Sequence, residues 1–362
     1  MSQRENVNPI REQNHRKNSR RYQKRAAARR RRNTIFIVEI VLLLILAVVL
    51  FFMSKLSKIE KTKLDMDRIE VNEDISQESQ KIMKGYQTIA MFGLDNRSNG
   101  NLSQGRSDVI MLANINNDTK EVKLVSVYRD TYLDTGDGIF QKCNAAYAKG
   151  GPEQAISMLN VNLDLNITDY VTVDFNSIIE CVDLLGGVDM EITDDEASLM
   201  TGYIRELNEL TGNKAENLTQ GGTYTLNGVQ ACAYARIRYG GGDDYRRTER
   251  QRTVLTAMVK KAQQSDLTTV NKLINEVCGD IQTSFSNAEL LALASQVFQY
   301  SIGDTTGFPF TKTTKVLSKK TGDVVIPCDL SDNVKELHIF LYEDSAYTAS
   351  DTVKQNLSLI HI

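Results

Sequence analysis

The chain has 362 residues, 41% of them hydrophobic and 25% charged, with a net charge of −3. Those values are ordinary for a globular protein and allow one large domain or two small ones with a sizeable core. Three histidines and no tryptophan narrow the chemistry: His15 is near the N-terminus, His361 is penultimate and His338 sits in an apolar pattern, so a Ser-His or Cys-His nucleophile system lacks its base.

In chain order, residues 1–33 come first, a basic tail. Between Met1 and Arg32 lie twelve Lys/Arg against Glu5 and Glu12, so the rest of the chain is strongly acidic. Residues 34–53 follow, with Ile35–Met53 reading IFIVEIVLLLILAVVLFFM and Glu39 its one charge. That length spans a bilayer. It exceeds a signal-peptide core and ends in Phe51, Phe52 and Met53 rather than at a small-residue cleavage site. An uncleaved anchor is expected. The arginine block before it places the N-terminus in the cytoplasm and the remainder outside. The basic tail is then a topology signal and not a nucleic-acid reader. Residues 54–86 read as a partly helical juxtamembrane stalk, and 87–362 as one extracytoplasmic domain.

Within that domain Thr88–Leu94, Val109–Ile115, Val122–Tyr128, Val171–Phe175, Val188–Ile192, Ala233–Ile237 and Leu337–Tyr342 read as strands. Glu153–Leu163, Ser177–Leu185, Arg247–Gln264 and Ala288–Phe298 show helical spacing. Strands with interspersed helices predict an α/β fold, a sheet covered by helices. The five cysteines, Cys143, Cys181, Cys232, Cys278 and Cys328, form no CxxC and read as buried free thiols.

Asp and Arg remain as the carriers of chemistry, clustered where strands meet loops or a helix begins. Asp95 follows the first strand. Arg106 and Asp108 lead into the second, and Arg129 ends the third, with Lys142 soon after. Arg236 and Arg238 alternate in AYARIRY, and Asp244, Arg247, Arg250 and Gln251 fall in DDYRRTERQ. Carboxylates with several guanidiniums are the mixture that holds Mg²⁺ and a diphosphate. The same residues also read as a helix cap at Asp244, surface ion pairs at Arg236 and Arg238, and a turn at Asp108. Against simple capping, Arg247, Gln251, Val254, Leu255 and Met258 share one helical stripe that is polar only in its first turn.

FGLDNR (92–97), GRSDVIML (105–112), VKLVSVYRDTYL (122–133), KCNAAYAKGG (142–151), YVTVDF with LLGGVDM (170–190) and LNGVQACAYARIRYGGGDDYRRTERQRTVL (226–255) resemble, in order, the LytR-CpsA-Psr family of cell-wall glycopolymer ligases. The resemblance implies an α/β fold with a mixed central sheet between helices and an apolar cleft for a polyprenyl tail. It implies transfer of a teichoic acid, capsule or related glycan from a polyprenyl-pyrophosphate carrier to peptidoglycan. Carried over by motif, Asp95 and Asp108 would hold Mg²⁺, and Arg106, Arg129, Arg236, Arg238 and Arg247 would grip the pyrophosphate. Lys142 and Gln251 would line the same site, and Asp244 would assist as base. Helices at Ile156–Leu165 and Ile178–Leu185 are candidates for the cleft, with an ordinary core as the alternative. The chain departs from the family pattern twice: Tyr128 stands where Pro is common, and Arg246 where Gly is common. A non-catalytic carrier-binding protein with a regulatory role and a lipid-pyrophosphate hydrolase are the rival readings.

Overall fold

Alternation along three adjacent strands sets the architecture. The computed structural model describes residues 60–61 and 64–360, apart from 95–101, 103–104, 137, 239–243, 267–268, 270–271 and 274–280. The basic tail, the expected span at 34–53 and Asp95 lie outside the described residues. Among the described residues no helix is long and apolar enough to cross a membrane.

The elements in order are β1 (Glu60–Lys61), α1 (Gln77–Met83), β2 (Tyr86–Leu94), β3 (Ser107–Asn116), β4 (Glu121–Val127), β5 (Tyr132–Asp134), β6 (Phe140–Lys142) and α2 (Ala145–Leu163). Next come β7 (Asp169–Asp174), α3 (Phe175–Leu184), β8 (Val188–Ile192), α4 (Asp194–Thr211), β9 (Gly222–Leu226), α5 (Gly228–Arg236) and α6 (Asp244–Gln264). The chain then runs through β10 (Ile281–Thr283), α7 (Asn287–Ser295), β11 (Ser301–Phe308), β12 (Lys312–Ser318), β13 (Gly322–Pro327), α8 (Leu330–Tyr342) and α9 (Asp351–Ile360).

Seven strands form the main sheet in the order β1-β10-β7-β2-β3-β4-β11. It is mixed: β2 runs antiparallel to β3 and parallel to β7, and β4 runs antiparallel to β3 and parallel to β11. Successive side chains on a strand point to opposite faces. Phe92, Leu94, Ile110, Leu112, Val125 and Val127 therefore enter one core, with α2, α8 and α9. Ile89, Met111, Ala113, Val122 and Leu124 enter another on the opposite face, with Phe285. A third cluster packs β8 against α4 and α5 through Met190, Ile204 and Val229.

Two strand readings are corrected. Ala233–Ile237 belongs to α5 and its C-cap: Asn227 and Gln230 form a capping box, and the alanine-rich run that follows is a strong helix former. Leu337–Tyr342 is the second half of α8, capped by Asp329, with Leu330, Val334, Leu337 and Leu341 buried at helical spacing. A short apolar run is ambiguous between the two periods. The folded unit also begins earlier than residue 87. Ile75 and Met83 are buried in the first core, and Ser79 Oγ donates to Asp344 Oδ2 at 2.6 Å.

Of the cysteines, Cys143, Cys181 and Cys328 are free thiols. Cys143 and Cys232 are buried as expected; Cys181 is half-buried and Cys328 is exposed. Cys278 lies outside the described residues.

Candidate active site

Three elements bring the charged side chains together: the start of β3, the turn after β4, and the first turn of α6. Arg129 is the centre. Its Nη1 donates to Asp108 Oδ1 at 2.7 Å, and its Nε lies 3.5 Å from Asp130 Oδ2 and 3.8 Å from Asp244 Oδ1. Burial opposes the Arg129 charge, but the three carboxylates outweigh it and raise the guanidinium pKa. Arg247 Nη2 lies 2.6 Å from Asp244 Oδ1, an ion pair without aligned hydrogen-bond geometry. Lys142 sits behind this group, its Nζ 2.9 Å from Asp130 Oδ1.

Asp108, Arg129, Arg236, Arg238, Arg247 and Gln251 line one cavity of about 290 Å³, closed by the rings of Phe175 and Tyr203. Arg236 stacks over both rings, 5.4 Å and 5.8 Å from their centroids, while its Nη2 donates to Glu206 at 3.2 Å. Although α5 is a helix, Arg236 in its last turn and Arg238 just past it still face the same cavity. The expected convergence therefore survives the correction of the strand. Arg106 is exposed at the start of β3 and does not line the cavity. Neither does Lys142, which reaches Arg129 through Asp130.

The cavity holds an excess of unmatched donors. Arg247 is 4% exposed, and its Nε, with Arg129 Nε, is buried without a hydrogen-bond partner among the described residues. Buried donors in this state are costly unless something meets them. Asp244 Oδ2 and Gln251 Oε1 are buried and unpartnered too. Burial lifts the Asp244 carboxyl to about 6; Arg129 and Arg238 pull it down, while Asp130 and Asp108 add to the rise.

Phe175 and Gln251 also line a second, apolar space, so the arginine cavity opens into a groove. Its floor is the sheet: Met91 pairs with Met111 and Val171, and Val173 lies two pairs further along. Its walls are Ile178 of α3, Ala235 of α5, and Val254, Leu255 and Met258 of α6. Of the two helices expected to line a cleft, α3 contributes Phe175 and Ile178. Ile156, Leu159, Leu163 and Leu165 instead lie in the first core, because α2 covers the other face of the sheet.

Reasoning from sequence missed Asp130, Phe175 and Tyr203. Asp130 is next to Arg129, but adjacency does not show that it bridges Arg129 to Lys142. The groove floor had a signal in the apolar character of both faces of β2 and β3, the pattern of strands covered on both sides.

The domain thus sets an apolar groove beside an arginine-lined cavity on a mixed α/β sheet. The sequence profile of the LytR_cpsA_psr family matches residues 46–315, and the chain belongs to that family. It is 30% identical over 210 residues to the polyisoprenyl-teichoic acid–peptidoglycan teichoic acid transferase TagU of Enterococcus faecalis, covering 57% of this chain and 64% of that protein. It is 30% identical over 195 residues to the transferase TagV of Bacillus subtilis, covering 52% of this chain and 48% of that one. The chain thus spans less than two thirds of either relative's length. Among solved structures, the fold matches that of the family protein YwtF (TagT) with bound octaprenyl pyrophosphate lipid. The TM-score is 0.53 at 22% identity, over 72% of this chain and 92% of that one.

Proposed function

We propose that the chain is a single-pass, membrane-anchored phosphotransferase that moves a glycopolymer from a polyprenyl-pyrophosphate carrier to peptidoglycan on the outer side of the membrane. The observation that carries this reading is the continuity of the apolar groove with the arginine cavity at Phe175 and Gln251. A polyprenyl tail suits the groove and a pyrophosphate suits the unmatched guanidinium donors, since arginine's fork meets phosphate oxygens bidentately. The transferase names of relatives and the lipid in a neighbour's structure support it.

In this reading Arg129, Arg236, Arg238 and Arg247 hold the pyrophosphate. The acceptor hydroxyl oxygen bonds to the phosphorus that carries the glycan, and its proton passes to Asp244. The bond from that phosphorus to the bridging oxygen breaks, and polyprenyl phosphate leaves with the electron pair. Arginines fixed around the leaving oxygens stabilise the charge that accumulates there. A carboxyl titrating near 6 suits a base working near neutral pH.

Mg²⁺ fits this donor set only as a partner of the substrate. Among the described residues no group of three His, Cys, Asp or Glu is placed to hold a metal. Asp108 retains 23% exposure while one oxygen meets Arg129. Mg²⁺ takes one or two carboxylates together with phosphate oxygens. Asp108, with Asp95, would hold it, and it would neutralise charge on the pyrophosphate. The arginine-rich tail and the span at 34–53 would anchor the chain with its N-terminus in the cytoplasm.

The test incubates the full chain with a radiolabelled polyprenyl-pyrophosphate glycan, Mg²⁺ and peptidoglycan. Label is expected in the wall fraction, with much less from Arg129→Ala and Asp108→Ala. Equal product from all three would remove this site. Label released without acceptor would mark a hydrolase, and binding without turnover a carrier-binding protein.

A further inference from the structure

A second cavity lies beside Tyr245, the residue after Asp244, and the transfer reaction leaves it unused. It is lined by chain neighbours of the residues just described: Tyr128 beside Arg129, Tyr245 beside Asp244, and Arg246 beside Arg247. Arg252 and Lys312 complete its cationic wall, and its volume is about 460 Å³. It shares no lining residue with the arginine cavity.

Arg252 is 8% exposed, and its Nε is buried with no hydrogen-bond partner among the described residues. Its one hydrogen bond is a long one, from Nη1 to Thr248 Oγ1 at 3.5 Å, and it makes no ion pair among the described residues. Glu249 lies close enough to favour its charge, yet burial still lowers the Arg252 pKa. Lys312 Nζ stands 5.0 Å from the Tyr128 ring centroid and 4.6 Å from that of Tyr245. It donates to the Pro309 and Phe310 carbonyls at 3.0 and 3.3 Å and has no carboxylate partner among the described residues. A buried guanidinium so weakly matched is expensive, and an anionic ligand would offset that cost at Arg252.

The tyrosines shape the pocket. Their rings meet edge to face with centroids 4.6 Å apart. Tyr128 fits because Gly307 lies beneath it: a Cβ there would stand 2.2 Å from the Tyr128 hydroxyl. Tyrosine offers an apolar ring and a polar tip, which suits a saccharide. Glu249 and Glu336 also line the cavity, so its net charge is only modestly positive and it is not a general trap for polyanions.

We propose that this cavity is the acceptor subsite, holding a carboxylate carried by the peptidoglycan strand while Tyr128 and Tyr245 pack against its sugar. The proposal rests on the transferase reading and names the acceptor's side of it. The donor's anion occupies the arginine cavity, and the second cavity, lined by Tyr128 and Tyr245 next to Arg129 and Asp244 in the chain, offers the acceptor a separate approach.

The test is direct binding, with no donor and no turnover. Calorimetry on the full chain in detergent compares a soluble peptidoglycan fragment bearing free carboxylates with the same fragment converted to neutral amides, and with a glycerol phosphate oligomer. The charged fragment is expected to bind at least about tenfold more tightly than the neutral one, the worth of one charge-assisted hydrogen bond. Lys312→Gln and Arg246→Ala are expected to erase most of that difference; Arg246 is exposed and Lys312 half-buried, whereas Arg252 is buried. Equal affinity for charged and neutral fragments overturns the proposal, as does unchanged binding in both variants. Binding of the phosphate oligomer alone also overturns it, since the cavity would then serve the donor polymer. Octaprenyl pyrophosphate is titrated into the same wild-type preparation. Its failure to bind counts against the transferase reading, whereas loss of carboxylate dependence alone counts against the subsite.

Discussion

Asp244 Oδ1 lies 2.6 Å from Arg247 Nη2, one turn along the same helix, while Asp244 Oδ2 is buried with no hydrogen-bond partner among the described residues. One oxygen is therefore balanced by charge and the other is left to accept a proton. Burial outweighs the neighbouring guanidiniums and sets the carboxyl near 6 rather than at its ordinary 3.8. A helix start that reads as a simple cap in sequence thus carries a carboxyl whose titration falls close to neutral pH.

The first prediction concerns pH. Transfer is expected to fall on the acid side with an apparent pKa near 6, and Asp244→Asn should abolish both the limb and most of the rate. Stability should respond in the opposite sense. The folded value lies above the unfolded one, so the native state binds the extra proton between about pH 4 and about pH 6. That contribution, on the order of 3 kcal/mol, is complete below about pH 4 and lost as pH rises through 6. Asp244→Asn should flatten the pH dependence of the melting temperature in that window. An unchanged rate profile together with an unchanged melting profile would refute the assignment.

Arg129 is held by Asp108, Asp130 and Asp244 together. Its removal takes a donor from the cavity and leaves three carboxylates facing one another. Arg129→Ala should lower transfer by roughly 100- to 1,000-fold, the scale seen for one preorganised oxyanion donor. It should also push the Asp244 titration further up, because Arg129 is the largest influence pulling it down. NMR titration of Asp244 in the variant checks that sign.

The groove prediction is steric. Ala235 is small and faces the apolar space between α6 and the sheet. Ala235→Phe should fill it and weaken octaprenyl pyrophosphate by about tenfold or more, while inorganic pyrophosphate is affected far less. Equal losses for both ligands in a binding titration would dissociate the groove from the lipid.

Gly228 sets how closely α5 approaches α3. A Cβ there would lie 2.1 Å from the Ile179 carbonyl oxygen, and the Gly228 amide donates to Asp183 Oδ1 at 2.7 Å. Backbone cannot move aside as a flexible side chain can. Gly228→Ala should cost roughly 1–3 kcal/mol and displace Arg236 from the cavity. Thermal denaturation measures the first effect, and weaker pyrophosphate binding the second.

Some of this molecule was legible from residue order. The strands β2, β3, β4, β7 and β8 and the long helix α6 follow from alternation, β-branched content and a stripe of Val254, Leu255 and Met258, because local periodicity records which face is buried. The grouping of Asp108, Arg129, Arg247 and Gln251 was legible as well, since charged residues at strand ends have few other places to go. Ala233–Ile237 and Leu337–Tyr342 were not, because a run of five or six apolar residues fits either period and only capping and packing decide. Nor could sequence order show that α2 covers one face of the sheet while α3, α5 and α6 cover the other. That distribution, fixed by which strands pair and where each crossover lands, made a groove of one apolar surface and a core of another. It also set the Asp244 carboxylate against Arg129 and Arg247, because only contact in three dimensions determines which charges lose water and which neighbours they keep.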